Sequence, residues 1–214
     1  MIIAIDPGYA TIGVVIGHPD KPVIAAAFSI KDGPCDHTPE VMMARCHTVV
    51  EKAVIGACTV IENLDARSRV TALITEDFVG QSYGASAMTA YYRGFVDAVL
   101  MSWASHLHAT VHRLRPANVK AFLNPMGKAT DHGMKTDLEY KAALNRLDSI
   151  FTPESLKLVA APAVVGAGKW KDARLHTLDA AAMLAIYYCY RGLAKEPRAQ
   201  RDVVAAVAQR WGAV

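Results

Sequence analysis

Hydrophobic and polar residues alternate between two rhythms along this chain, and the first run is wholly apolar. Met1–Ile5 stops at Asp6 and turns through Pro7 and Gly8, with a second glycine at Gly13. A short unbroken apolar run predicts a strand buried on both faces. Ile12–Ile16 and Val23–Ile30 read the same way, and the "GHPDKP" between them is a turn signal. The first three strands are therefore expected to form an antiparallel meander. Pro39–Leu64 carries Met42, Cys46, Val49, Ala53 and Cys58 near helical spacing and predicts a long amphipathic helix. "VTALITE" (Val70–Glu76) predicts a fourth strand, Ser86–His108 a second long helix, and "ATVHRL" (Ala109–Leu114) a fifth strand. Pro116 opens a short helix through Phe122. Leu175–Arg191 and Arg198–Trp211 are the last two predicted helices.

This order predicts an α/β fold in which a five-stranded mixed sheet, three strands antiparallel and the rest parallel, is flanked by helices in a single domain. Residues 124–172 differ in character. "NPMGKATDHGMK" is glycine-containing, basic and loop-like, a helical segment is expected near Leu138–Ile150, and "APAVVGAGKWKDA" reads as another connection. The segment is treated as a basic insertion in the domain.

Composition narrows the class. The 214 residues are 52% hydrophobic and 20% charged, which gives a large core and excludes wholesale disorder. No signal peptide or membrane span is visible, and Cys35, Cys46, Cys58 and Cys189 lie far apart without a CxxC pair. Free thiols in a reducing cytoplasm are the expectation. The net charge of +3 is unevenly spread: −4 over residues 1–112, +5 over 113–174 and +2 over 175–214. Such a split suits a polyanion held by one part of the fold while carboxylates elsewhere bind cations, although a solvated surface produces it equally well.

The carboxylates give that split a chemical meaning. Asp6 ends the first strand and Glu76 the fourth, and a helical connection makes these strands parallel neighbours. Acids at matching ends of adjacent strands face each other across about 4.8 Å. Two carboxylates so close hold protons unless a cation lies between them, and a divalent metal is the natural counter-charge. In "LHTLDAAAMLAIYY", His176 and Asp179 share one helix face, and the N-terminal turn of that helix is expected to meet the strand ends. Asp6, Glu76, His176 and Asp179 would then make a two-cation site. Singly, each piece has a plainer reading: a common turn at Asp-Pro-Gly, a surface glutamate, a helix-face histidine, and an aspartate favoured by the helix dipole. Together they place charge at the ends of buried elements, where charge is otherwise avoided.

These motifs resemble the RuvC family of Holliday junction resolvases, within the RNase H-like nuclease superfamily. "AIDPGYATIGVVI" resembles the family's first motif, "LITEDFV" the second, and "HTLDAAAMLAIYY" the third, with His176 three residues before the aspartate. Tyr92–Gly94 and "RPANVKAF" fit as well, and the resemblance runs over residues 1 to about 124 and resumes at about 172. It implies an RNase H-like fold and a homodimer that nicks four-way or otherwise branched DNA symmetrically, leaving 5′-phosphate and 3′-hydroxyl ends. It also implies two Mg2+ ions per site, replaceable by Mn2+, held by Asp6, Glu76, Asp179 and His176. Lys120 stands where a lysine near the scissile phosphate is expected, and Lys128 or Lys135 would be a second. Phe78 or Tyr83 would wedge between bases, and Arg115 would contact DNA.

Three other readings compete. A nuclease cutting flaps and forks as readily as four-way junctions shares all the same chemistry. An actin- or sugar-kinase-like ATPase also opens on a strand, an aspartate and a glycine turn, but this chain is short for two lobes and shows no second phosphate loop. A non-catalytic junction binder would have no use for buried carboxylates, which are costly to keep. A bacterial or phage-infected cell is the expected setting, with no membrane association.

Overall fold

The computed structural model describes residues 1–8, 11–18, 21–29, 40, 44, 69–77, 87–124, 137–165 and 170–212. Its sheet contains β1 (Ile2–Pro7), β2 (Thr11–His18), β3 (Lys21–Ser29), β4 (Ala72–Glu76), β5 (Thr110–Leu114) and β6 (Ala163–Val165), in the order β5-β4-β1-β2-β3-β6. β1, β2 and β3 form the expected antiparallel meander, and β4 and β5 lie parallel to β1 on its far side. This is the RNase H-like arrangement.

One strand was not expected. β6 pairs parallel with β3 through Ala26↔Ala163 and Phe28↔Val165, so the sheet has six strands where five are predicted. Three residues inside "APAVVGAG" are too short to carry a strand period, and only pairing with β3 defines them. The helices are α1 (Ala87–Leu107), α2 (Pro116–Leu123), α3 (Asp137–Leu144), α4 (Pro153–Ala160), α5 (Trp170–Tyr190) and α6 (Arg201–Trp211), with short 3-10 turns at Asn145–Leu147 and Arg198–Gln200. Of the helix predicted over 39–64, only Glu40 and Ala44 are described, both helical.

α4 has no counterpart among the predicted helices, although its start carries a sequence signal. Thr152 is the N-cap, its Oγ1 accepting from the Ser155 amide at 3.3 Å, and Pro153 follows in the first turn. Much of the insertion is thus ordered: α3, α4 and β6 all belong to it. Tyr140, Ala143 and Val159 are buried in the same core as the sheet. Arg174 of α5 ties α3 down through an ion pair with Asp137 and by stacking 4.6 Å from the Tyr140 ring centre.

Strand alternation divides the core in two. Ile2, Ala4, Val15, Ala72, Ile74 and Leu114 face α5, whereas Ile3, Ile5, Val14, Ile16 and Leu73 face Val96 and Leu100 of α1. α5 is apolar nearly all round because it is enclosed nearly all round, by the sheet on one side and by α2, α4 and α6 on the other. Leu178, Met183, Leu184 and Ile186 are fully buried, and each such side chain contributes about 1.5–3 kcal/mol. Core burial therefore sets where α5 lies, and His176 and Asp179 are carried with it.

Candidate active site

Parity places the acids. Asp6 follows Ala4 by two residues and Glu76 follows Ile74 by two, so both side chains leave the sheet on the face covered by α5. Ile5 pairs with Thr75 in the parallel β1–β4 register, and the next step sets Asp6 opposite Glu76. Both sit at the C-terminal ends of parallel strands, where open α/β sheets bind their ligands.

The glycines of the first motif explain how α5 gets close enough. Gly13 pairs with Asp6 across the β1–β2 ladder and lies directly under α5. A Cβ at Gly13 would strike the backbone carbonyl of His176 and lie 2.6 Å from the Thr177 nitrogen. A Cβ at Gly8 would strike the His176 imidazole and the Thr11 carbonyl oxygen. The Asp-Pro-Gly turn and the glycine five residues later thus leave room for one helix and one ring.

That ring reaches Asp6. His176 Nδ1 and Asp6 Oδ2 are 2.5 Å apart, with the Asp6 side chain nearly inaccessible and the imidazole partly open. Asp179 is one helical turn further along α5, in a partly buried residue whose carboxyl is enclosed. Burial, then the charges of Asp6 and Glu76, hold the Asp179 carboxyl well above the usual carboxylate range, and His176 and Lys120 oppose the shift. Five groups from β1, β4, α5 and α2 therefore act on one another. Four of them, Asp6, Glu76, His176 and Asp179, are the predicted set, and the fifth is the predicted Lys120.

One expectation about α5 is corrected. The helix begins at Trp170, not near Leu175, so His176 and Asp179 sit in its second and third turns. The helix dipole acts within the first turn, and so does not explain Asp179. An acid in this position is raised in energy and needs a counter-charge.

Among the described residues, no three His, Cys, Asp or Glu side chains gather closely enough to enclose a metal ion. The donor set nevertheless fits a hard divalent cation: three carboxylates and an imidazole, an excess of acid that a bound cation would balance. Asp6, Glu76 and Asp179 are the residues that could hold it, with His176 beside them.

Of the other predicted residues, Arg115 is exposed at the N-cap of α2, one turn before the half-buried Lys120. Phe78, Tyr83, Lys128 and Lys135 lie outside the described residues, as do Cys35, Cys46 and Cys58. Cys189 is a buried free thiol whose pKa burial pushes up to about 11.

What stands beside Glu76 has no signal in the sequence. Asp77 is buried, its amide donates to the Leu114 carbonyl at 2.6 Å, and its carboxylate pairs with Arg210 from the end of α6. Trp211 Nε1 donates to the Arg113 carbonyl at 3.0 Å, and Gln200 Nε2 to the Phe122 carbonyl at 3.2 Å. Nothing in spacing or motif links residues 77 and 210.

No protein-family model matches the chain, and no curated protein matches it. Among solved structures, it is similar to Thermus thermophilus RuvC in complex with a Holliday junction substrate, at 18% identity and a TM-score of 0.49, covering 91% of this chain and 97% of that one. A second Thermus thermophilus RuvC structure is similar at 18% identity and a TM-score of 0.45, covering 91% and 98%.

Proposed function

We propose that this chain is a divalent-metal-dependent endonuclease that resolves four-way DNA junctions by paired, symmetric nicks. The observation that carries the reading is the convergence of Asp6 and Glu76, at matching ends of parallel strands, with the enclosed Asp179 of α5, whose carboxyl is held above the usual range by burial and then by those two charges. The sequence motifs that resemble RuvC-family resolvases fall on these same residues, which supports the substrate class.

Bound Mg2+ at such a site lowers the pKa of a water nucleophile and neutralises charge on a phosphodiester. Asp6, Glu76 and Asp179 would hold the ions. His176 keeps the Asp6 carboxylate oriented through Nδ1 and stands where it can bind an ion or position water. Lys120 offers a positive charge to the phosphoryl oxygens from α2. Arg115, together with Lys128, Lys135 and an aromatic at Phe78 or Tyr83, would contact the DNA. A homodimer would supply the two sites that paired nicks require.

A time course on synthetic four-way junctions, forks, flaps and linear duplex in Mg2+ tests the proposal. Symmetric nicks in the junction, bearing 5′-phosphates and absent in EDTA, are expected. Equal cutting of forks and flaps would assign the broader branched-DNA activity, and no cutting in Mg2+ or Mn2+ would overturn the nuclease reading.

A further inference from the structure

The C-terminal segment makes three contacts with β4, β5 and α2 or the residue next to them. Gln200 donates to the Phe122 carbonyl at the end of α2, the helix that carries Lys120. Arg210 pairs with the buried carboxylate of Asp77, the residue after Glu76. Trp211 donates from its indole to the Arg113 carbonyl of β5, and its ring packs against His112, Tyr187 and Tyr190 at centroid distances of 4.8, 6.2 and 5.0 Å. Val204 and Val207 seat α6 in the main core between these contacts.

Glu76 is the last residue of β4 and pairs with Leu114 of β5. Asp77 continues the β4–β5 ladder by one bond, from its amide to the Leu114 carbonyl. Its side chain, almost wholly buried, is a charge taken out of water and so needs a partner with good geometry. Arg210 is that partner. A guanidinium presents fixed donors to a carboxylate, which restricts Asp77 more tightly than a single amine would.

We infer that Arg210 is a positioning residue for the candidate metal site, holding Asp77 and through it restricting Glu76 beside Asp6 and Asp179. The inference rests on the proposed nuclease reading. It adds that the C-terminal helix, which carries no acid of the site, sets the site's affinity for metal. Groups that orient ligands in this way typically shift metal affinity by about 10–100-fold when removed.

Wild-type protein, Arg210→Ala and Arg210→Lys are compared in three measurements: Mn2+ binding by the loss of free Mn2+ signal in electron paramagnetic resonance, Mn2+ dependence of junction nicking, and junction binding in EDTA. Arg210→Ala is expected to need roughly 10-fold more Mn2+ for half-saturation in both Mn2+ assays, with junction affinity in EDTA unchanged. Arg210→Lys should recover most of the loss. A general loss of structure would lower junction affinity as well, and lysine would not selectively restore the Mn2+ midpoint. Should Arg210→Ala fail to fold, Asp77→Asn, which keeps an acceptor for Arg210 but removes the charge, is expected to show the same Mn2+ shift. A folded variant with the wild-type Mn2+ midpoint overturns the role of Arg210 while leaving the nuclease reading intact. A wild-type protein that neither binds Mn2+ nor nicks the junction overturns the nuclease reading itself, and with it any metal site for Arg210 to position.

Discussion

His176 Nδ1 lies 2.5 Å from Asp6 Oδ2, although 170 residues separate the two in the chain. The bond joins the end of the first strand to the second turn of the most deeply buried helix, and it forms because Gly8 and Gly13 leave no side chain between them. Around it stand Glu76, Asp179 and Lys120. An excess of acid over base in so enclosed a place stores unfavourable electrostatic energy, and that energy can be read in solution.

Asp179→Asn should stabilise the metal-free protein. The folded state raises the affinity of Asp179 for its proton, so it binds more protons than the unfolded chain between the two pKa values. Stability therefore falls as pH rises from the ordinary carboxylate range towards the raised value of Asp179. Replacing the acid by an amide removes that loss and should raise the melting temperature at neutral to mildly alkaline pH. A gain of about 1 kcal/mol corresponds to roughly 2–4 °C in a domain of this size. The difference should vanish towards about pH 3, where the acid is largely protonated even when unfolded. Thermal melts in EDTA across pH check this, and nicking by the same variant should be abolished.

Added Mg2+ or Mn2+ should reverse the order of stability. Wild-type protein would gain from binding the ion, by an amount that grows with the ratio of its concentration to Kd. Asp179→Asn and Asp6→Asn would gain little. A melt with and without metal shows whether the effect requires those two carboxylates.

Nicking should weaken as pH falls, at higher pH than an ordinary carboxylate would dictate, because protons compete with metal for Asp179. Lys120 opposes the raised proton affinity of Asp179, so Lys120→Met should move the pH profile of nicking to still higher pH. The same substitution should reduce the slope of log junction affinity against log salt by about 1 if Lys120 contacts a phosphate. Rate–pH profiles and salt titrations of the two proteins measure both effects.

Gly13→Ala and Gly17→Ala should differ sharply although both replace glycine in β2. At Gly13 the new methyl meets the backbone of His176 and Thr177, which cannot move without moving α5. At Gly17 it meets the Tyr188 hydroxyl and the Leu184 methyls, which can turn aside. Overpacking costs of about 1–3 kcal/mol or more are expected at the first position and less at the second. Only Gly13→Ala should also displace His176 from Asp6 and depress nicking. Denaturant melts paired with nicking rates separate the two outcomes.

Much of this site was legible because its signals are local. An apolar run stopped by Asp6, another stopped by Glu76, and a three-residue step from His176 to Asp179 each state where a charge sits in an element. Strand alternation then fixes the face, and burial of α5 fixes what lies over it. What was not legible is pairwise and distant. No periodicity in "GAGKWKDA" marks the start of α5 at Trp170, and nothing in spacing joins Arg174 to Asp137 and Tyr140 of the insertion. β6 exists through its pairing with β3 alone. The Arg210–Asp77 contact joins two charges that each look like ordinary surface residues in sequence.

The most direct test is a crystal of this protein grown with Mn2+ and measured at a wavelength where manganese scatters anomalously. The account predicts anomalous peaks among the carboxylates of Asp6, Glu76 and Asp179, lost in Asp6→Asn crystals. Three carboxylates ordered in the density with no peak between them at saturating Mn2+ would contradict it.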